Sequence, residues 1–371
     1  MSKRFWIFLI IFLFLLFVLF FLFPEFFGSV ITYSKSNGIM NTAQTENKPA
    51  APVIPPLDIA AYDNKLEEIA NNPPPKVVIP KKDKEGNEIP VPFAPPPIYL
   101  WPVKTVYPNA GAILPFNRIV AYYGNLYSTK MGVLGEYPED EMLAKLDAEV
   151  KKWENADPAT PVIPALHYIA IVAQNSAGKD GKHRFRMPGT EIDKVLAMAA
   201  KIDAIVFLDL QVGFSKVETE IPLLEKYLKM PNVHLAIDPE FSMKGTIRPG
   251  KVVGTLDAVD INFASNYLAN LVRENNLTPK ILMVHRYTQK MVTNYKQIKT
   301  LPEVQIVMNM DGWGGQAKKI NTYQQFIYKE PVQFTGFKLF YKNDIWEKGT
   351  VLMTPETLLK LNPRPVYIQY Q

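Results

Sequence analysis

The stretches AIVFLDLQ (Ala204–Gln211) and VHLAIDPE (Val233–Glu240) decide how this chain is read. Each is a short aliphatic run that turns acidic towards its end. In an extended strand successive side chains take opposite faces. Ala204, Val206, Leu208 and Leu210 then share one wholly apolar face, with Ile205, Phe207, Asp209 and Gln211 on the other. Val233, Leu235 and Ile237 do the same in the second run, leaving His234, Ala236, Asp238 and Glu240 opposite. One face suits packing under helices, and the other carries charge late along its length. A closed parallel sheet needs both: helices outside, and a wet mouth at the C-terminal ends of the strands.

Six further runs repeat the pattern: Arg118–Gly124, Pro161–Ile169, Lys280–Tyr287, Val304–Asp311, Thr335–Tyr341 and Pro365–Tyr370. Helical periodicity fills the gaps, over Glu139–Trp153, Thr190–Ile202, Glu218–Lys229, Asp257–Asn275, Thr288–Thr300, Gln316–Tyr328 and Pro355–Leu361. Eight strands separated by seven helices predict an α/β fold over residues 116–371, a TIM-like (β/α)8 barrel lacking the last helix. An open doubly wound sheet would need a phosphate-type glycine loop after an early strand, and none is present. With no eighth helix, the groove beside the eighth and first strands needs another apolar cover. Pro90–Pro115 is expected to supply it, with Tyr99 and Trp101 buried.

The same alternation sorts the remaining strands. Met283, His285 and Tyr287 fall inward, as do Val307, Asn309 and Asp311. Lys338 lies opposite Phe337 and Leu339, His167 opposite Leu166 and Tyr168, Tyr122 opposite Ala121, and Tyr367 and Gln369 opposite Val366 and Ile368. Strands two to seven thus each put an ionisable residue late on the inward face. Unpaired buried charges are costly, so these groups must pair with one another, bind something, or sit at the mouth.

Asp238-Pro239-Glu240 is the sharpest local feature. Proline ends ladder pairing, so Asp238 sits at a strand tip with Glu240 just beyond. Neighbouring carboxyls raise each other's proton affinity, which suits one to act as an acid while another stays ionised. Asp209 and Asp311 add carboxylates on flanking strands. Asp311 opens Asp311-Gly312-Trp313-Gly314-Gly315, where Trp313 offers a stacking face; its alternative role is to cap the following helix. His285 reads as an acid/base group or a core histidine. The candidate catalytic set is Glu240, Asp238, Asp209, Asp311 and His285. The candidate substrate-binding set is Tyr122, His167, Asn309, Trp313, Lys338 and Tyr341. An oxygen-rich metal set from Asp209, Asp238, Glu240, His285 and Asp311 would favour Mg²⁺, Ca²⁺ or Mn²⁺. No H-x-H or H-E-x-x-H spacing supports it, so neither a metal nor a cofactor is expected.

The rest of the chain sets the context. Phe5–Phe23 is an uninterrupted apolar run of 19 residues, about 28 Å as a helix and enough for one bilayer core. Lys3 and Arg4 precede it, and the next basic residue is Lys35. That asymmetry predicts a signal anchor, with residues 1–4 cytoplasmic and the barrel outside the cytoplasm. Sixteen prolines between Pro49 and Pro115 make residues 24–115 a tether whose last part packs on the barrel, with one short helix expected within Leu57–Ala70. There are no cysteines, which excludes disulfide scaffolds and thiolate chemistry. The 371-residue chain balances 41 Lys+Arg against 36 Asp+Glu, a net charge of +5 too weak for a nucleic-acid footprint.

The strand order, with carboxylates at the tips of strands four and six, resembles the barrel glycosidase superfamily. In its largest clan the acid follows strand four and the nucleophile lies on strand seven. Glu240 matches the first position, and Lys338 stands where the second would be. Val233–Met243, Met283–Thr288, Gly336–Asp344 and Tyr367–Gln371 are similar to a family of bacterial surface and secreted barrel proteins. That resemblance implies a fold and an exported location. The first expectation is therefore a membrane-anchored, glycosidase-like hydrolase acting on a carbohydrate, such as an envelope glycan. The alternatives are a non-catalytic surface barrel that binds a polymer or partner protein, and a metal-dependent hydrolase. A basic rim of Lys179, Lys182, His183, Arg184 and Arg186, with Lys244, Arg248 and Lys251, would suit an anionic polymer.

Overall fold

The computed structural model describes residues 54–74 and 97–371. The expected cytoplasmic tail 1–4, the apolar run Phe5–Phe23, the tether up to residue 53 and residues 75–96 lie outside the described residues. Among the described residues no helix is long and apolar enough to cross a membrane.

Eight strands form the barrel: β1 Arg118–Gly124, β2 Val162–Ala173, β3 Ile205–Leu210, β4 Val233–Ile237, β5 Lys280–Arg286, β6 Val304–Met310, β7 Phe334–Leu339 and β8 Tyr367–Tyr370. Each pairs in parallel with the next, and β8 pairs with β1, so the sheet closes on itself. Val120, Leu166, Val206, Leu235, Val284 and Ile306 face the surrounding helices. Ile119, Ala121, Phe207, Ala236, Met283 and Val307 fill the interior. The alternation read from β3 and β4 therefore holds, and it places their acidic residues on the inward phase.

The helices follow from capping and periodicity. α1 is Ile59–Ala70, α2 Glu139–Ala156, α3 Gly189–Ala200 and α4 Ala258–Asn275; α5 is Gln316–Tyr323, continued by one wider turn to Tyr328, and α6 is Pro355–Leu358. α4 begins in a capping box: Asp257 accepts from Val259 N, and Asp260 accepts from Asp257 N. It ends at Asn276, which takes the left-handed conformation with φ 50°.

One expected helix is absent. Thr288–Thr300 forms two short 3₁₀ turns, Gln289–Met291 and Tyr295–Gln297, around the two-residue strand Val292–Thr293, which pairs with Leu256–Asp257. β-branched Val292 and Thr293 favour extended backbone. Thr293 Oγ1 and Asn294 Nδ2 each donate to Asp257 Oδ2 at 2.6 Å, and Asn294 sits at φ 55°. Local side-chain bonds thus outcompete the helix, whose apolar spacing Met291, Tyr295 and Ile298 had suggested.

The proline-rich part also differs from expectation. α1 closes the N-terminal end of the barrel, where Tyr62, Ile69 and Ala70 are buried and join a cluster with Ile119, Ala165, Ile281 and Phe334. Arg364 N donates to Ile69 O at 2.7 Å, and Asn71 Nδ2 to Leu361 O at 2.8 Å. Leu114 exchanges two hydrogen bonds with the Gln305 side chain at 3.0 and 2.6 Å. Trp101 is buried and donates to Tyr328 O at 3.0 Å, beside α5. Tyr99 is only half-buried, its hydroxyl donating to Pro73 O. Leu114 joins Ile119, Val366 and Tyr367 in the inner core. On the outer side of β8, Trp153 of α2 is fully buried, and its Nε1 donates to Tyr370 Oη at 3.0 Å.

Candidate active site

Beyond the C-terminal ends of the strands lies a cavity of about 650 Å³. Its walls include Tyr123, Gln211, Asp238, Glu240, Tyr287, Asp311, Trp313 and Lys338, with Lys130, Lys318 and Gln371 nearer the opening. All six strands from β2 to β7 bring an ionisable group to this mouth or beneath it: His167, Asp209, Asp238, His285, Asp311 and Lys338.

Pro239 shapes its acidic side. It ends the β4 ladder and opens a 3₁₀ turn, Pro239–Phe241, that lifts Glu240 into the cavity. Asp238 Oδ1 accepts from Glu240 N at 2.9 Å, and Asp238 Oδ2 accepts from Gln211 Nε2 at 3.3 Å. Gln211 is itself fixed, accepting from Ala173 N at 3.1 Å and lying 3.3 Å from Tyr123 Oη. Burial pushes the Asp238 carboxyl well above the usual carboxylate range; Asp209, Glu240 and Asp311 add to this, and His285 opposes it. Glu240 is half-buried. Burial raises its proton affinity, the Asp311 charge adds to that, and Tyr287 and Lys338 partly offset it.

Asp311 and Trp313 form another part of the wall. The N-cap of α5 is Gly315, with no side-chain cap bond, so Asp311 is not the cap. Its Oδ2 lies 2.9 Å from His285 Nδ1 instead. Burial alone would lower the His285 imidazolium, but Asp209 and Asp311 outweigh it and hold it up to about 10. Trp313 is 52% exposed and forms an open aromatic wall, with Lys318 Nζ 4.7 Å from its ring centre. Lys338 Nζ sits 3.7 Å from the centre of the Tyr123 ring, a cation–π contact. Burial lowers its proton affinity, and Asp311, Asp238, Asp209 and Glu240 counteract that.

Under the floor lie Asp209, His167 and His285, all with wholly buried side chains. Asp209 does not reach the cavity: its Oδ2 is 3.6 Å from His167 Nε2 and 3.5 Å from His285 Nε2. His167 Nδ1 is 2.6 Å from Tyr367 Oη, and its ring stacks on Phe207. Burial takes His167 down to about 4 despite Asp209. Asn309 is also below the floor, donating to Gln369 Oε1 at 3.3 Å. The oxygen-rich metal set weighed and set aside from sequence is divided in the structure: Asp238 and Glu240 line the cavity, while Asp209 faces the two histidines.

Two expected ligand contacts lie elsewhere. Tyr122 points outward: its hydroxyl is 3.2 Å from Tyr341 Oη, and both rings pack with Tyr370. Tyr341 donates to Glu149 Oε1 at 3.0 Å on the outside of the barrel. Tyr123, one residue on from Tyr122, is the inward residue of β1. Gln211 and Tyr287, with Tyr123, complete the cavity, the first two without having been singled out as ligand contacts. The first two were in phase with Asp209 and His285, which is the signal that would have found them. Three of the eight rim residues are paired within the chain. Arg184 binds Asp180 and Glu220 at 2.8 Å each, Arg186 binds Glu220 at 2.7 Å, and Lys244 binds Asp260 at 2.9 Å.

No protein-family profile matches the chain, and no curated protein matches it. Among solved structures, a ruminal GH26 endo-beta-1,4-mannanase is similar at 12% identity and a TM-score of 0.32, over 68% of this chain and 58% of that one. The chain thus spans less than two thirds of that enzyme's length. A Bacillus subtilis mannanase, BCman, is similar at 12% identity and a TM-score of 0.34, over 70% of this chain and 81% of that one. Both scores are too low to carry a substrate across. The fold rests on the chain's own strand pairing: this is a closed (β/α)8 barrel with an acid-lined mouth.

Proposed function

We propose that the chain hydrolyses a glycosidic bond, with Glu240 as general acid and Asp311 as the carboxylate that attacks the anomeric carbon or activates a water. One observation carries this reading: Glu240 and Asp311 line the same cavity, and Glu240 is held towards its protonated form by burial and by the Asp311 charge. Two carboxyl groups in unlike environments are what acid-assisted departure of a sugar oxygen needs. Glu240 gives its proton to the leaving oxygen as the bond breaks, and Asp311 meets the positive charge that develops on the ring. Asp238 is a positioning residue, fixing the Glu240 backbone through Oδ1. Trp313 offers a face on which a sugar ring can stack. Phe5–Phe23, with Lys3 and Arg4 before it, supports anchoring in a membrane with the barrel outside the cytoplasm, where an envelope glycan would be the substrate. Protease accessibility of the barrel on intact cells tests that location; full protection would contradict it.

Glu240→Gln tests the acid. It should lower kcat about 10²–10⁴-fold on natural glycosides. The loss should be much smaller on aryl glycosides, whose leaving group needs no proton. The alkaline limb of kcat/KM should vanish in the variant, because in the native chain activity falls as pH rises through the elevated Glu240 value. An equal loss on both substrate types with an unchanged pH profile would overturn the assignment.

A further inference from the structure

Under the cavity floor three strands bring together two imidazoles and one carboxylate. His167 on β2 and His285 on β5 both aim Nε2 at Asp209 Oδ2 on β3, at 3.6 and 3.5 Å. The three donor atoms all lie within 4.8 Å of one another. These separations are too long for hydrogen bonds. Neither Asp209 oxygen, nor Nε2 of either histidine, has a hydrogen-bond partner among the described residues, although all are fully buried. Buried polar atoms are almost always satisfied, so an orphaned carboxylate facing two orphaned nitrogens needs an occupant.

The other side of the His167 ring is already fixed, with Nδ1 2.6 Å from Tyr367 Oη. That is how an outer partner orients a ligand imidazole: the outer nitrogen carries the proton and the inner lone pair points at the metal. His285 Nδ1 lies 2.9 Å from Asp311 Oδ2, an ion-pair distance without hydrogen-bond geometry. A tetrahedral zinc ion with bonds of about 2.0–2.1 Å holds its donor atoms about 3.3 Å apart, slightly closer than the nitrogen–oxygen separations here. A proton on His285 is the competing occupant, but it would leave the Asp209 oxygens without a hydrogen bond at these distances.

We propose that His167, Asp209 and His285 bind one divalent transition-metal ion, zinc fitting the donor set best. Two imidazoles with one carboxylate suit zinc or another imidazole-binding metal, and disfavour magnesium and calcium, which take oxygen ligands. Asp311 links this site to the cavity, since it lines the wall and holds His285. The metal site does not depend on the glycosidic reading, because its occupancy is measured without a substrate.

The test is metal content of the full chain after incubation with excess Zn²⁺ and desalting. About one zinc per chain is expected, with visible ligand-field bands when Co²⁺ replaces it, and a fall in Tm on chelation that Zn²⁺ reverses. Asp209→Asn and His167→Gln should each lose the ion while keeping the native circular dichroism. Where one of these variants does not fold, the other and the reversible Tm shift of the native chain still decide. Retention of less than about a tenth of an equivalent by the native chain, or equal retention by Asp209→Asn, would overturn the proposal.

Discussion

Asp238 is a carboxyl group kept in place by what it accepts, from Glu240 N and Gln211 Nε2, in surroundings that resist its charge. Its folded value is raised above the ordinary value near 3.9. The stability its protonated form contributes is therefore complete below that value and is lost as pH climbs through the folded one. Asparagine cannot ionise, so the Tm advantage of Asp238→Asn over the native chain should grow as pH rises above the ordinary carboxylate value of about 3.9. A difference independent of pH would contradict the assignment. Lys338 acts on the neighbouring acid: its charge opposes the rise at Glu240. Lys338→Met should move the alkaline limb of activity to higher pH; a shift to lower pH would show that another group sets the limb. At this scale Asp238, Glu240 and Asp311 were legible, because each lies in phase with an apolar strand of clear polarity. Tyr122 was not. Arg118–Gly124 alternates Val with Ala and then Tyr with Tyr, so neither face is marked as polar. Tyr341 lies beyond the last residue of β7, where alternation no longer applies.

Among the elements, α1 contributes most to closing the barrel. Tyr62 is 1% exposed within the inner core, and its hydroxyl has no partner among the described residues. Tyr62→Ala should cost about 3–5 kcal/mol in urea unfolding. Tyr62→Phe should stay within about 1 kcal/mol, since no hydrogen bond is lost. Equal effects of the two would contradict the packing described here. Sequence alone marked a helix at this place but gave it no site, because long-range packing leaves no local periodicity beyond its own face. The absent helix between β5 and β6 failed for the opposite reason. Its apolar spacing was present, but Asp257, distant in sequence, captured Thr293 and Asn294. The grouping of His167, Asp209 and His285 was hidden for a related cause: its members come from β2, β3 and β5, so no short spacing records them.

For the whole molecule, closure matters more than any single element. Parallel pairing all the way round turns every inward residue towards one axis. α1 and Leu114 fill the N-terminal end of that axis, and the cavity occupies the other. The inward groups are thus graded along it, from apolar packing through the buried Asp209–histidine layer to the acid-lined mouth. Barrel order and the acidic end were readable from eight runs of alternating residues. The separation of the acidic groups into a cavity pair and a buried trio was not, because it depends on the relative heights of different strands. The proposed reaction at the mouth is cleavage of a sugar bond by Glu240 and Asp311. The most direct measurement is reducing-end release by the full chain from a panel of oligosaccharides and purified envelope glycans, compared with Glu240→Gln and Asp311→Asn. Turnover by the native chain that both variants lose while still binding the glycan is the expected result; turnover that survives both substitutions, or none on any glycan, would overturn the proposed reaction.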